Sequence, residues 1–322
     1  MRIEDILTIE GDSLDMLKMI PNESISLILT DPPYHATKKK NITGDTNFQH
    51  DNSYLEWLGR YFTEWRRIIK KNGSVYCFCD SSMSARIEVL LSDNFNILSH
   101  IVWTKPNAPG YDGWKGKMKK EALRQWYPLS ERIIFAEPKA NGNLFGVSFA
   151  NILRENRKQA ELSQHELAEM IGAYGKVNHG GAVSNWEAGR NTPSEEQYQK
   201  IVDAFIRTGK VVSMPNYTDI IRVFRIDKTK PYTDIWNFET VRQYKGKHPA
   251  EKPIDLLKHI IEASSNVGDI VLDCFAGSGN TGIAAQQLGR NSILMEMDKK
   301  WVEKIRNNIL HRDEKRSLLN LL

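Results

Sequence analysis

The sequence predicts an α/β protein, a doubly wound, mostly parallel sheet carrying a small all-α insert. Three observations predict it. Short apolar runs alternate with amphipathic stretches over residues 1–138 and again over 248–311. A glycine turn, Gly277-Ser278-Gly279-Asn280-Thr281-Gly282, separates an apolar run from a helical one late in the chain. Between those regions Phe149 to Arg207 is helical and polar throughout, with acidic and basic side chains nearly balanced.

Residues 1–34 read as strand, helix, strand. Gly11-Asp12-Ser13 ends the first apolar stretch and caps a helix from Leu14 to Met19, and Pro21-Asn22 stops it. Ile25 to Leu29 is a buried strand ending in Asp31-Pro32-Pro33-Tyr34, and residues 35–50 form a loop. Leu55, Leu58, Phe62, Trp65 and Ile69 recur at helical spacing over Tyr54 to Lys70, up to Asn72-Gly73. Then come a strand (Ser74 to Cys79), a helix (Ser82 to Leu91), a strand (Ile97 to Thr104), a Gly/Lys-rich loop (Pro106 to Tyr127) and a strand (Arg132 to Ala136). After the helical block, Ile220 to Ile226 and Ile235 to Phe238 are β-like, and His248 to Pro253 is a loop. The chain closes with a helix (Ile254 to Ser264), a strand (Ile270 to Asp273), the glycine turn, a helix (Thr281 to Leu288), a strand (Ser292 to Met295), a helix (Trp301 to His311) and a charged tail.

At 322 residues the chain suits one large α/β domain plus a small one, and 40% apolar residues suit a packed core. No apolar run approaches the ~20 residues of a membrane helix. The N-terminus lacks the basic-then-apolar pattern of a signal peptide. Cys77, Cys79 and Cys274 sit in strand-like runs, as reduced structural thiols of a cytoplasmic protein do, and too few ligands accompany them for a metal site. From Ile101 to Ser130 there are six basic residues, Lys115 and Lys117 among them, against two acids, interleaved with Trp103, Tyr111, Trp114, Trp126 and Tyr127. Lys38, Lys39 and Lys40 form a second basic run. Basic residues beside aromatics suit phosphate contacts and base stacking, although a solvated charged loop has the same composition.

The glycine turn matches G-x-G-x-x-G between strand and helix. Its backbone can approach a ligand, and the helix offers free N–H groups. Glu296, at the end of the next strand, stands where a ribose diol is gripped. Asp273 can hold an amino group, and Phe275 can pack on an adenine. Only about forty residues follow the turn, so the remaining strands come from earlier in the chain and the order is permuted.

Asp31-Pro32-Pro33-Tyr34 near the start and Asp273-Cys274-Phe275-Ala276-Gly277-Ser278-Gly279 near the end together resemble the amino-group DNA methyltransferases. Gly11-Asp12-Ser13, His248-Pro249-Ala250-Glu251-Lys252-Pro253 and Gly289-Arg290 leading into Glu296 are similar to that family too. The catalytic motif precedes the cofactor motif, as in the family's β-class. Asn280 departs from it, standing where Thr or Ser is usual. The resemblance implies a Rossmann-like S-adenosylmethionine-dependent fold and double-stranded DNA as partner. It implies that Asp31, Pro32, Pro33 and Tyr34 are catalytic, and that Asp12, Asp31, Lys252, Pro253, Asp273, Phe275, Gly277, Gly279 and Glu296 bind S-adenosylmethionine, with Lys252 and Pro253 along its methionine part and Asp12 near its adenine. A homodimer and a separate restriction endonuclease are compatible with it.

The chemistry of these residues agrees. An exocyclic amine conjugated with its ring is a poor nucleophile. Asp31 can accept one N–H and the Pro32 carbonyl the other, which localises the nitrogen lone pair for in-line attack on a methyl sulfonium. Tyr34 can stack on a flipped base. No covalent intermediate is needed. None of the cysteines follows a proline, which argues against cytosine-C5 methylation.

In the helical block, Ser163-Gln164-His165-Glu166 and Ser194-Glu195-Glu196-Gln197 are capping boxes. Leu162-Ser163-Gln164, Leu167-Ala168 and Ser184-Asn185-Trp186-Glu187-Ala188-Gly189-Arg190 resemble the Cro/repressor-type helix-turn-helix family, with a longer stretch between, Gly172 to Gly181. The resemblance makes Val177, Asn178, His179, Ser184 and Asn185 candidates for DNA contact and Leu167 and Trp186 core residues. A bracing insert is the competing reading.

The expectation is therefore three parts: a catalytic part (1–140), a target-recognition region (141–247) with the helix-turn-helix insert at 149–207, and a cofactor-binding part (248–322). The activity the resemblance implies is methylation of adenine N6, because Asp at the first motif position is the usual adenine form in that family. Cytosine N4 is the first alternative, a DNA-binding regulator with secondary or lost methylation the second. A nicotinamide oxidoreductase rests on the glycine turn alone.

Overall fold

A computed structural model describes residues 6–35, 48, 50–108, 124–126, 128–139, 148–173, 181–210, 213–226, 229 and 232–319, the last ten of these by backbone only. Among them one eight-stranded sheet organises the chain, in the order β1-β8-β7-β2-β3-β5-β4-β6. Its strands are β1 (Ile6–Glu10), β2 (Ile25–Thr30), β3 (Ile69–Cys79), β4 (Phe95–Thr104), β5 (Ser130–Pro138), β6 (Ile235–Asn237), β7 (Ile270–Asp273) and β8 (Asn291–Glu296). Strand β5 alone runs against the others, between β3 and β4.

β2 is buried along its whole length because parallel neighbours, β3 and β7, flank it and helices cover both faces. Its alternation divides the core. Ile28 faces Leu58, Phe62 and Trp65 of α2 (Asp51–Ile68), together with α1 (Ser13–Leu17) and α3 (Ser84–Leu91). Leu27 and Leu29 face Leu256, Ile260 and Ile261 of α9 (Ile254–Ser264) and Ala284 and Ala285 of α10 (Asn280–Gln287). Cys77 and Cys79 share the first face, as their spacing requires. From β2 the chain moves to β3 on one side. From β7 it moves to β8 on the other. The β2/β7 border is thus a topological switch point, where ligands bind at the strands' carboxyl ends.

Three segments differ from expectation. α2 ends at Ile68 instead of reaching Lys70, because Ile69 already pairs with Ile25 and residues 70–73 form a bulge before Ser74 meets Leu27. Residues 220–226 form no strand. α8 (Tyr217–Ile220) ends there, and Ile220 and Ile221 turn into the core of the helical block. The final helix, α11 (Lys299–Leu319), continues beyond His311.

The helical block has its own core. Phe149 and Leu153 of α4 (Ser148–Gln159), Leu167 of α5 (Gln164–Met170), Val183 and Trp186 of α6 (Gly181–Glu187), and Ile201 and Phe205 of α7 (Glu195–Arg207) meet in it, and it extends past Arg207 to Ile221. Both capping boxes form. Arg157 grips the buried Glu187 with two nitrogens, at 2.5 and 3.0 Å, and Gln164 donates to the same carboxylate, which ties α4, α5 and α6 together.

The block hangs from the edge of the sheet opposite the carboxyl ends. Asn72 at the start of β3 donates to the Thr218 carbonyl, and the Arg225 amide donates to Ala263 at the end of α9. Arg222 donates to Glu137 near the end of the reversed β5 at 2.8 Å, its guanidinium over the rings of Phe135 and Phe224. Among the described residues no helix is long and apolar enough to cross a membrane.

Candidate active site

The carboxyl ends of β2 and β7 meet where the two sequence motifs lie. The Thr30 hydroxyl donates to Asp273 at 2.8 Å, and the Cys274 amide donates back to the Thr30 hydroxyl at 3.2 Å, joining segments some 240 residues apart. Asp31 follows, directed into a cavity of about 780 Å³. The Lys252 ammonium donates to Asp31 Oδ2 at 2.5 Å, whereas the buried Oδ1 has no partner among the described residues.

Lys252 also reaches Glu131 at 3.2 Å and lies over the rings of Phe78 and Tyr34. The Tyr34 hydroxyl donates to Glu131 at 3.1 Å, and Lys105 binds the other oxygen of Glu131. Burial raises the Asp31 carboxyl above the usual carboxylate range, against the pull of Lys252. Burial works the same way on Glu131, but there Lys252 and Lys105 outweigh it and hold the group down to about 2. Burial opposes the charge on Lys252, yet Asp31 and Glu131 prevail and keep it a cation. Tyr34 is pushed well up by burial and remains a donor.

Across the cavity the glycine turn is built from its own contacts. Asp273 accepts from Thr30, from Thr281 at 2.6 Å and from the Phe275 amide at 3.1 Å, and burial pushes its carboxyl up to about 6. Glu296 accepts from the Gly277 and Asp298 amides at 2.8 and 2.9 Å, and burial raises it as well. The glycines divide the work. Gly277 has φ +50°, and a Cβ there would stand 3.0 Å from the His248 ring at the cavity. Gly279 has φ +80°, and its Cβ would meet Ile305 of α11 at 2.8 Å; Gly282 lets α10 approach Leu294 of β8. Phe275 packs against Trp57 and Tyr61, ring centres 5.7 and 5.0 Å away. Asn280 donates to the Lys252 carbonyl at 2.8 Å and so links the turn to the lysine segment.

Of the expected residues, Asp12, Asp31, Pro32, Pro33, Tyr34, Lys252, Asp273, Phe275, Gly277 and Glu296 line this one cavity. Asp12 also caps α1, accepting from the Leu14 amide. Two expected residues do not line it. Gly279 turns toward α11, and Pro253 caps α9 and faces a neighbouring open cleft. Lys252 places its ammonium in the half of the cavity that holds Asp31. Lys38, Lys39, Lys40, Lys115, Lys117, Val177, Asn178 and His179 lie outside the described residues, while Ser184 and Asn185 are half-buried on α6, in the block attached at the far edge. Sequence reasoning missed Glu131, Lys105, Trp57, Tyr61 and Trp301. Glu131 could have been flagged only by knowing that β5 is reversed, which brings its first residues to the edge where the other strands end. The three thiols are buried and free, and burial pushes each of them up, so they are poor nucleophiles. Among the described residues no three His, Cys, Asp or Glu side chains gather as a metal site.

An acidic side (Asp12, Glu296), an aromatic side (Trp57, Phe275) and the backbone at Gly277 could hold a cofactor bearing a diol and a flat base; the buried Asp31 oxygen that lacks a hydrogen bond could take an amine beside it. Comparison with known proteins points the same way. A family model described as DNA methylase matches residues 25–307. DNA adenine methyltransferase YhdJ of Escherichia coli K12 is 28% identical over 299 residues, covering 92% of this chain and 79% of that protein. Type II methyltransferase M.HinfI of Haemophilus influenzae is 25% identical over 319 residues, covering 94% and 68%. The M1.HpyAVI–SAM complex shares the fold with a TM-score of 0.51 at 21% identity, covering 94% of this chain and 99% of that one.

Proposed function

The chain belongs to the DNA methylase family, and from that premise we propose that it transfers a methyl group from S-adenosylmethionine to adenine N6 in double-stranded DNA. One observation carries the reading: Asp31 presents a buried, unpartnered carboxylate oxygen in the same cavity as the glycine turn. An orphaned acceptor in such a place is costly unless a donor arrives, and an exocyclic amine is such a donor.

S-adenosylmethionine, when bound, supplies an electrophilic methyl. Gly277, Glu296, Asp12 and Phe275 would hold it, with Asp273 and Asn280 shaping the turn. Asp31 Oδ1 accepts one N–H of the flipped base and the Pro32 carbonyl the other, which turns the nitrogen lone pair out of conjugation. Tyr34, tethered through its hydroxyl to Glu131, offers a ring fixed in place for stacking. After transfer the nitrogen carries a surplus proton, and Asp31, raised by burial, can take it. Adenine is favoured by the Asp that opens the motif and by the name of the E. coli relative.

Sequencing that detects modified bases, applied to DNA from cells expressing the protein, is expected to report N6-methyladenine at one short site. N4-methylcytosine would overturn the adenine assignment, and unmodified DNA the enzyme reading.

The proposal extends to the helical block as a helix-turn-helix that binds DNA through α6. Both ends of the 105–129 connection lie at the catalytic edge, so we assign target reading to that connection, with Lys115 and Lys117. We assign the block to DNA elsewhere along the duplex. Replacing Ser184 and Asn185 together with alanine is expected to weaken gel-shift affinity at least about 30-fold, each base contact being worth roughly 1–3 kcal/mol, and to leave the methylated site unchanged. A changed site would make the block the target reader. A homodimer, a companion restriction endonuclease and a cytoplasmic location belong to the same reading.

A further inference from the structure

Four polar groups from distant parts of the chain converge behind the catalytic aspartate. Lys105 follows β4, Glu131 opens β5, Lys252 precedes α9 and Tyr34 ends the catalytic motif. Glu131 is the hub. It binds Lys105 through one oxygen, and Lys252 and the Tyr34 hydroxyl through the other. We propose that Glu131 is the positioning residue of this centre, holding Lys252 on one oxygen of Asp31 so that the other is left without a hydrogen bond for the target amine to fill, and fixing the plane of Tyr34. The inference rests on the reading of Asp31 as acceptor of that amine.

The donor count supports it. An ammonium has three N–H groups. Here one points to Asp31 Oδ2 and one to Glu131. If Glu131 gives up its charge, Lys252 is left with Asp31 as its one anionic partner, and the ammonium shifts to bridge both Asp31 oxygens. That shift covers the acceptor the base needs. Charge supports it as well. Asp31 and Glu131 balance Lys105 and Lys252, so the two carboxylates can both stay ionised in a buried place only with both lysines present.

Glu131 is not itself an acid or base in the reaction. Two lysines hold its carboxyl down to about 2, far below any working pH. Its influence goes through its neighbours. The groups facing Asp31 are Lys252, Glu131, the Tyr34 hydroxyl, Asp273 and the protonated thiols of Cys77 and Cys79. Among them Glu131 is an anion that, with burial, raises the Asp31 carboxyl, so that Asp31 can take the surplus proton once the methyl has been transferred.

The test is Glu131→Gln in the full chain, assayed by single-turnover transfer to DNA. The transfer rate is expected to fall about 10²-fold, the scale of a small misplacement of a reacting group, with S-adenosylmethionine affinity within about twofold of wild type, because the substitution leaves the cofactor half of the cavity untouched. The acid limb of the rate–pH profile is expected to move down, because removing a neighbouring anion lowers the Asp31 pKa. Glu131→Asp, which restores the charge but not the reach, is expected to return the limb toward its wild-type position while the rate stays reduced. A merely structural role would lower stability without moving the limb. Should Glu131→Gln transfer at the wild-type rate with an unmoved limb, the positioning role is overturned. If Asp31→Ala is then inactive, the reading of Asp31 stands; if Asp31→Ala is also fully active, that reading falls with it.

Discussion

Asp31→Ala is expected to slow methyl transfer by about 10³-fold, the scale seen when a group that stabilises charge in a water-poor site is removed. The substitution deletes the open Oδ1 and also the Oδ2 that Lys252 holds. Lys252 keeps Glu131 as partner, so the variant is expected to fold. Asp31→Asn is expected to be nearly as inactive, although it is almost the same shape. The ammonium captures the amide oxygen and turns the amide NH₂ toward the incoming amine, donor against donor. Labelled-methyl transfer in a single turnover measures both variants, and equilibrium dialysis follows S-adenosylmethionine, whose affinity should change by no more than a few-fold. Retention of a tenth or more of the wild-type rate by either variant would remove Asp31 from the catalytic role.

The second large effect separates two glycines two residues apart. Gly279→Ala is expected to destabilise the protein by about 2–3 kcal/mol, from the left-handed backbone and from overpacking. Its φ is +80° and the new Cβ would lie 2.8 Å from Ile305 Cγ1, in a side chain 2% exposed, so α11 must move. Gly277→Ala meets a softer obstacle. Its Cβ would lie 3.0 Å from the His248 ring, which borders the cavity and rests edge-on against Trp301. That ring must give way into the space offered to the cofactor. Gly277→Ala is therefore expected to weaken S-adenosylmethionine binding about tenfold at a stability cost of about 1 kcal/mol. Urea unfolding and cofactor titration of the two variants give opposite orders of severity on this account. The same order in both measurements would sink the division of roles.

Much of the architecture was legible because it is local. β2 reads as a mostly apolar run, Ile25 and Leu27 to Leu29 with Ser26 between, since both of its neighbours are parallel strands. The capping boxes at Ser163 and Ser194 formed as written, each satisfying backbone donors within three residues. The glycine turn announced its own conformation, with positive φ at Gly277 and Gly279. What failed was also instructive. Ile220 and Ile221 have strand-like composition, but the vacancy they fill belongs to a helical core assembled from residues 149–217. The end of α2 was missed because Ile25, more than forty residues earlier, claims Ile69 for the sheet.

By itself the sequence determined the parts of the proposed site: an acid at a strand end, a proline-held carbonyl, an aromatic ring, and a glycine turn that must fold back beside them. These are short backbone patterns whose physics acts over a few residues, so they can be read in one dimension. Only the tertiary structure decided how the parts are set. The reversed direction of β5 brings Glu131 to the catalytic edge and sends Glu137 to the far one, where Arg222 anchors the helical block. The lysine segment before α9 delivers Lys252 to Asp31, pairing one oxygen and leaving the other, buried, without a hydrogen bond. Strand direction and the pairing of buried charges depend on contacts between residues far apart in the chain, and no local pattern encodes which of those contacts will win.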